Sequence, residues 1–480
     1  MKPNAGALAN WLLTWVQDHG AIFGFHNHSV WGSNPYRWND YTSGHSTWAS
    51  PLLPALALML QARRNPELED TLRRLIRFQS SSYQPDGQYA HIGFQMGESL
   101  ARGLIHNMMP NVSLALTAQY AGDWLPEEDA RRIRDSIAST MAACDRIYPF
   151  GVMYANGRAI SNQEYARLWG KLLYERVFGE HRWGDELRRQ LDAMIAEFHF
   201  AGLPDRDCTA SYRYAGDASS TEPAEYYGLL IAPLVLAYEI YGREQYLEQA
   251  GRLCRHLARS SWHDRRGQLR LHRVYYYSGS RWVKLNEPML IAGMGMSLFG
   301  IHQYLSKRKD AELTEFLARC DRTYAAYQNS RGYFASATGW YNEADIAPGS
   351  AWHSHDLLYL IARHGAGDDV WRDLRRTDNR RLSVLLGDGC IWMEQGDRWT
   401  ITDYQAMDVY QLLGRKDEPR FGRDMGWVGG ERALPERFGF PERPQFVKTD
   451  EGIFLRKGAL SEQDMLLSSV AEVPYLGVWS

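Results

Sequence analysis

Little in this chain of 480 residues points to a charged partner, a disulfide framework or a membrane. Its 54 Lys and Arg nearly balance its 57 Asp and Glu, giving a formal net charge of -3. Such a balance creates no field that would draw the chain to nucleic acid or an anionic bilayer. The five cysteines, Cys144, Cys208, Cys254, Cys320 and Cys390, are odd in number, scattered and without CxxC spacing. Neither a disulfide set nor a zinc knuckle is indicated. No apolar run approaches the roughly 20 residues that span a bilayer. The start, Met1-Lys2-Pro3-Asn4-Ala5, leads into an amphipathic stretch interrupted by Asn10, Gln17 and Asp18, which is no signal-peptide core. Calcium loops and phosphate-binding loops are absent too. Gly293-Met294-Gly295 sits in an apolar run with no strand pattern ahead of it, so close helix packing explains it better than a cofactor. The expectation is a cytoplasmic protein with no cofactor, no nucleic-acid partner and no membrane partner. Homo-oligomerisation is left open.

What the chain does have is a repeated helix-start signal. Thr221-Glu222-Pro223 and Asn286-Glu287-Pro288 each precede a long apolar run. Proline is favoured in a first helical turn, where its missing N–H costs nothing, and a carboxylate there faces the positive end of the helix dipole. Polar clusters of the same kind occur around His45, Glu98, Asn162 and His353. Taken in order, the six markers are separated by 53, 64, 60, 65 and 66 residues. That spacing suits a helical hairpin with loops, repeated about six times.

The segments between these runs are more polar. The stretch 126–146 places Glu127, Glu128, Asp129, Arg131, Arg132 and Arg134 against Ile133, Ile137 and Met141, the pattern of a one-faced helix. The runs Leu52 to Leu60, Val112 to Ala118, Leu229 to Ala237 and Met289 to Phe299 are apolar nearly all round, as buried helices are. Buried and half-exposed helices in alternation predict two concentric rings. The fold class expected is therefore mainly α, an (α/α)6 toroid of six helical hairpins. The helical pattern fades after about residue 380, where short β-like runs begin at Leu382-Ser383-Val384 and Cys390-Ile391-Trp392. Domains are expected at 1–380 for the toroid and 381–480 for a small β-containing extension packed on it. Inner helices starting at one rim would bring their leading polar residues together around a mouth.

Aromatic residues make up 13% of the chain, with 17 Trp and 28 Tyr, many of them ahead of the buried runs. Trp31, Trp340 and Trp352 are candidate platforms for sugar rings, although aromatics also cap the ends of a large core with a wet tip. His26-Asn27-His28 and His353-Ser354-His355-Asp356 resemble metal ligands in spacing. A spacing of two is common by chance and no cysteine lies near, so these histidines are assigned to sugar binding or ordinary hydrogen bonding, and no metal is expected.

The stretch Gly216-Asp217-Ala218-Ser219-Ser220-Thr221-Glu222-Pro223-Ala224-Glu225-Tyr226-Tyr227, opening an inner helix, resembles uronide-active carbohydrate enzymes of the (α/α)6 class. These are glucuronidase-like glycoside hydrolases and, more distantly, heparinase-type polysaccharide lyases. The resemblance covers about residues 1–370 in architecture and only short motifs in sequence. It implies a glycoside hydrolase that releases a uronic acid, glucuronate foremost, from oligo- or polysaccharides. Such lyases carry a full β-sandwich after the toroid, which this chain lacks, and that favours hydrolysis. Hydrolysis needs two carboxyl groups flanking the bond, and Glu222 and Glu287 are the pair expected, with Asp217 in reserve. His26, His28, Trp31, Arg37, Asn162, Tyr226, Trp340, Trp352, His353 and His355 are the expected contacts to a carbohydrate substrate. β-Elimination by a lyase, using a Tyr or His as base, and epimerisation or isomerisation by mouth histidines are the alternatives.

Overall fold

A computed structural model describes residues 2–13, 16, 24–26, 40–42, 49–81, 83, 86–89, 104–151, 160–198, 220–263, 269–272, 274–277, 282–284, 288–290, 293–328, 332, 334, 350–374, 382–387, 390–395, 398–403, 445–449 and 452–456. Helices dominate the first 374 residues. They are α1 (Ala5–Leu13), α2 (Leu52–Ala62), α3 (Pro66–Ser81), α4 (Leu104–Ala121), α5 (Glu127–Ile147), α6 (Ser161–Phe178) and α7 (Gly184–Phe198). After these come α8 (Tyr227–Tyr241), α9 (Glu244–Arg259), α10 (Gly295–Lys307), α11 (Ala311–Tyr327), α12 (Ser350–His364) and the short α13 (Asp368–Leu374).

The even-numbered helices from α2 to α12 form the inner ring. Each packs on the next, and α12 packs back on α2, so the ring closes. Their sequences explain why they are inside. In α8 every residue from Tyr227 to Ala237 is buried, so no face is left for water. In α9, by contrast, Tyr246, Leu247, Ala250, Leu253, Cys254 and Leu257 share the buried face while the polar residues look out. Burying one large apolar side chain contributes about 1.5–3 kcal/mol, so an all-apolar helix gains most where both sides are covered.

The odd-numbered helices from α1 to α11 lie outside, each against inner neighbours. Their ends are dressed for solvent. Glu127, Glu128 and Asp129 open α5, where negative charge suits the helix dipole. Buried Asp129 also pairs with Arg73 of α3 at 2.6 Å, tying two outer helices together. Asp310 caps α11 by accepting from the Leu313 N–H at 3.1 Å. The chain start closes the circle: Asn4 donates its N–H to Gln328 Oε1 at 2.6 Å, and Gln328 Nε2 donates back to the Asn4 carbonyl at 2.8 Å. No helix among the described residues is long and apolar enough to cross a membrane.

Among the described residues, strands occur in two places. Around the toroid, β1 (Gly24–His26) pairs with β2 (Asp40–Thr42), and between α9 and α10 lie β3 (Ser261–His263), β4 (Leu269–His272), β5 (Tyr275–Tyr277), β6 (Trp282–Lys284) and β7 (Pro288–Leu290). Towards the C-terminus, β8 (Leu382–Gly387), β9 (Cys390–Gln395) and β10 (Arg398–Asp403) form an antiparallel sheet, and β11 (Gln445–Thr449) pairs with β12 (Gly452–Arg456). The architecture is the expected mainly α (α/α)6 toroid with a small β-containing C-terminal part.

One helix start differs from the sequence reading. Pro288 does not open α10; it begins β7, whose Leu290 pairs with Arg270 of β4, and α10 starts at Gly295. Pairing with a distant strand overrode the local helix signal, as tertiary context commonly does.

Candidate active site at the rim of the inner helices

Hydrogen bonds join the starts of α6, α8, α10 and α12 to one another, which places these four helix starts at one rim. The best-defined polar constellation there surrounds Glu222. Its backbone is held from both sides. Thr221 donates its N–H to the Tyr275 carbonyl at 2.9 Å, and the Tyr275 N–H returns a bond to Thr221 Oγ1 at 3.0 Å. Pro223 then leads into a single 3-10 turn, Ala224–Tyr226, before α8. Ser297 of α10 accepts from the Gly228 N–H at 3.1 Å and donates to the Ala224 carbonyl at 2.7 Å, fixing that turn to the neighbouring helix. Gly228 permits this contact: a Cβ there would lie 2.0 Å from the Met296 carbonyl oxygen.

The Glu222 side chain is wholly buried. It reaches back to the first turn of α6, where Ser161 Oγ donates to one carboxyl oxygen and Asn162 Nδ2 donates to the other at 2.7 Å. No cation is among the leading influences on it. Burial therefore dominates and pushes the carboxyl up to about 8. The two side-chain donors pull it partly back, neighbouring Glu225 raises it again, and the Asn162 backbone N–H adds a last downward pull. The balance favours the protonated carboxyl over the carboxylate.

A second buried carboxyl lies further round the ring. Asp356 of α12 accepts the Gly293 N–H at 2.8 Å, the Gly295 N–H at 3.0 Å and the hydroxyl of Tyr324. Burial pushes it up to about 7, against the pull of Tyr324 and the two amides. It caps the start of α10. Gly295 is glycine for contact as well, since a Cβ would meet the His355 carbonyl at 2.2 Å. On α6, Glu164 is also pushed up to about 7 by burial, offset by Arg167, whose Nε lies 3.2 Å from Glu164 Oε2.

Of the residues expected from sequence, Glu222 and Asn162 are brought together. Tyr226 is half-buried in the turn ahead of α8. His353 is buried on α12, where Nε2 accepts the Phe334 N–H at 2.9 Å and the ring stacks on Phe334 and tilts against Trp11. His355 is buried two residues further along α12. His26 lies on β1, a strand that packs against α12, and Trp352 lies in the first turn of α12. Asp217, Glu287, His28, Trp31, Arg37 and Trp340 lie outside the described residues. Ser161, Asp356 and Glu164 carried no expected role. Glu164 stands in the polar cluster that opens α6, and nothing local marks Asp356.

Among the described residues, one cavity of about 60 Å³ opens between α4, α6, α8 and α10, with Trp169 and Phe299 at its floor and Gln119, Glu239 and Gln303 at its edge. It has room for several waters.

No protein-family model matches the chain, and no curated protein matches it. Solved structures do. A sugar epimerase from a ruminal bacterium superposes with a TM-score of 0.51 at 11% identity, over 75% of this chain and 96% of the epimerase. Cellobiose 2-epimerase from Bacillus thermoamylovorans B4167 gives 0.51 at 9% identity, over 74% and 95%. An unsaturated glucuronyl hydrolase from Bacillus sp. GL1 gives 0.49 at 14% identity, over 75% and 95%. At such identities the likeness is one of fold alone, the (α/α)6 toroid.

Proposed function

We propose that this chain is a carbohydrate-active enzyme that hydrolyses a glycosidic bond to a uronic acid, glucuronate foremost, with Glu222 as proton donor. The observation that carries the reading is the state of Glu222: a rim carboxyl held by neutral donors and pushed up to about 8 by burial. A general acid must keep its proton at working pH and release it as the bond breaks. In the reaction Glu222 gives its proton to the glycosidic oxygen, that C–O bond breaks, and water adds to the sugar carbon, losing its proton to a second carboxylate. Glu287 and Asp217 are the candidates for that second group. Trp31, Trp340 and Trp352 are proposed as ring platforms, Arg37 as a partner of the uronate, and Tyr226 and the histidines as hydroxyl contacts.

A second reading, a sugar epimerase or isomerase, is favoured by one observation. Strand β1, which carries His26, packs on α12, which carries His353 and His355, so three histidines share one sector of the rim. One panel separates the two. Nitrophenol released from a nitrophenyl glucuronide, and lost in Glu222→Gln, supports hydrolysis. Exchange of solvent deuterium into a reducing sugar without nitrophenol release supports epimerisation. An ultraviolet-absorbing unsaturated product instead means β-elimination, and Glu222 then has no part as acid.

A further inference from the structure

Ser161 and Asn162 open α6, and their side chains end on the two oxygens of one carboxyl, 61 and 60 residues further along the chain. From these contacts we infer that Ser161 and Asn162 are positioning residues that set the protonation state of Glu222 and, through it, the pH range of catalysis. The inference rests on the hydrolase reading for its catalytic half and on geometry alone for the rest.

Each donor bonds better to a carboxylate than to a neutral acid, so each favours release of the proton. The first turn of α6 adds the positive end of its dipole in the same sense. Burial acts the other way. Among the described groups the leading charge that bears on Glu222 is Glu225, and Ser297 of α10, which faces the same turn, is neutral. With no cation among the leading influences, the balance is left to hydrogen bonds, and the leading one comes from a hydroxyl whose hydrogen is free to rotate. That makes Ser161 the finer control of the two.

The test compares full-length wild-type, Ser161→Ala, Ser161→Thr and Glu222→Gln proteins across pH. One readout is the infrared carbonyl stretch of protonated carboxyl groups, with the band missing in Glu222→Gln assigned to Glu222. The other is the pH profile of kcat/KM on the glycoside turned over. Loss of the serine donor moves the Glu222 titration upward by about 0.5–1 pH unit, and Ser161→Thr, which keeps a hydroxyl, restores it. The alkaline limb of kcat/KM moves the same way, because a general acid fails as pH rises through its pKa. An unchanged infrared titration in Ser161→Ala overturns the inference, as does a shift that Ser161→Thr leaves in place. Full turnover by Glu222→Gln beside a clear infrared shift overturns hydrolysis through Glu222 and leaves the positioning role supported. Should Ser161→Ala fail to fold, Asn162→Ala withdraws the other side-chain donor and carries the same expectation.

Discussion

Glu222 and Asp356 are two buried carboxyls at one rim, each reaching back to the inner helix before its own, and they are held by different means. Asp356 is gripped by the backbone amides of Gly293 and Gly295 and by Tyr324. Glu222 is gripped mainly by side chains, those of Ser161 and Asn162. Backbone donors are fixed in direction and cannot reverse role, so Asp356 is a cap whose loss strands the start of α10. A hydroxyl and an amide can rotate or flip, so the Glu222 cradle tolerates either protonation state. The first arrangement builds the ring. The second leaves a carboxyl whose partners can follow it through a change of protonation.

The comparison breaks most visibly if Asp356 is removed. Asp356→Ala leaves two buried N–H groups and a tyrosine hydroxyl without their acceptor, and we expect a loss of about 4 kcal/mol in denaturant unfolding. Glu222→Ala leaves two side-chain donors that can turn to other partners, and a loss of about 2 kcal/mol is expected. Equal losses would mean that both carboxyls are structural caps.

Titration sharpens the contrast. Burial raises Glu222 to about 8 and Asp356 to about 7, above the unfolded carboxyl range of about 4. Between those limits the folded chain keeps protons that the unfolded chain has released. The resulting stabilisation is complete below about pH 4 and is lost as pH rises through 7 and 8. While both groups remain protonated in the fold, each contributes a fall of about 1.4 kcal/mol per pH unit. Unfolding free energies from about pH 5 to 8 should therefore decline, and Glu222→Gln should take away the part of the slope that persists above pH 7. A slope untouched by Glu222→Gln would show that Glu222 does not hold a proton in the fold.

Much of this architecture is legible in the amino-acid sequence. Apolar runs at a spacing near 60 residues, alternating with one-faced helices, specify two rings because only an inner position covers every side of a helix such as α8. Asn162 and Glu222 both stand out as leading residues of inner helices, and they are hydrogen-bonded to each other. The role of Asp356 is hidden, since its acceptor contacts lie 61 and 63 residues away and nothing local marks them. The start of α10 misleads for a related reason. Pro288 looks like a first-turn proline until β4 is there to pair with Leu290. Periodicity reports burial; it does not report which distant backbone will supply a partner.

The finest distinction comes from changing each carboxyl to its amide at neutral pH. In Asp356→Asn the new NH2 group must lie somewhere among three donors. Gly293 N–H contacts both carboxyl oxygens, at 3.0 and 2.8 Å, so one amide orientation or the other sets a donor against a donor. The backbone cannot turn away, and a loss of about 2 kcal/mol is expected. In Glu222→Gln the oxygen can keep the serine hydroxyl while Asn162 flips its own amide to offer an acceptor to the new NH2, so each side chain keeps a partner. The expected loss is below about 1 kcal/mol, small enough that the protein stays folded while the proposed proton donor is gone. A folded, inactive Glu222→Gln beside a weakened Asp356→Asn separates a chemical carboxyl from a structural one. If Glu222→Gln costs as much as Asp356→Asn, the cradle is as rigid as the cap, and the proton on Glu222 serves the fold instead of a substrate.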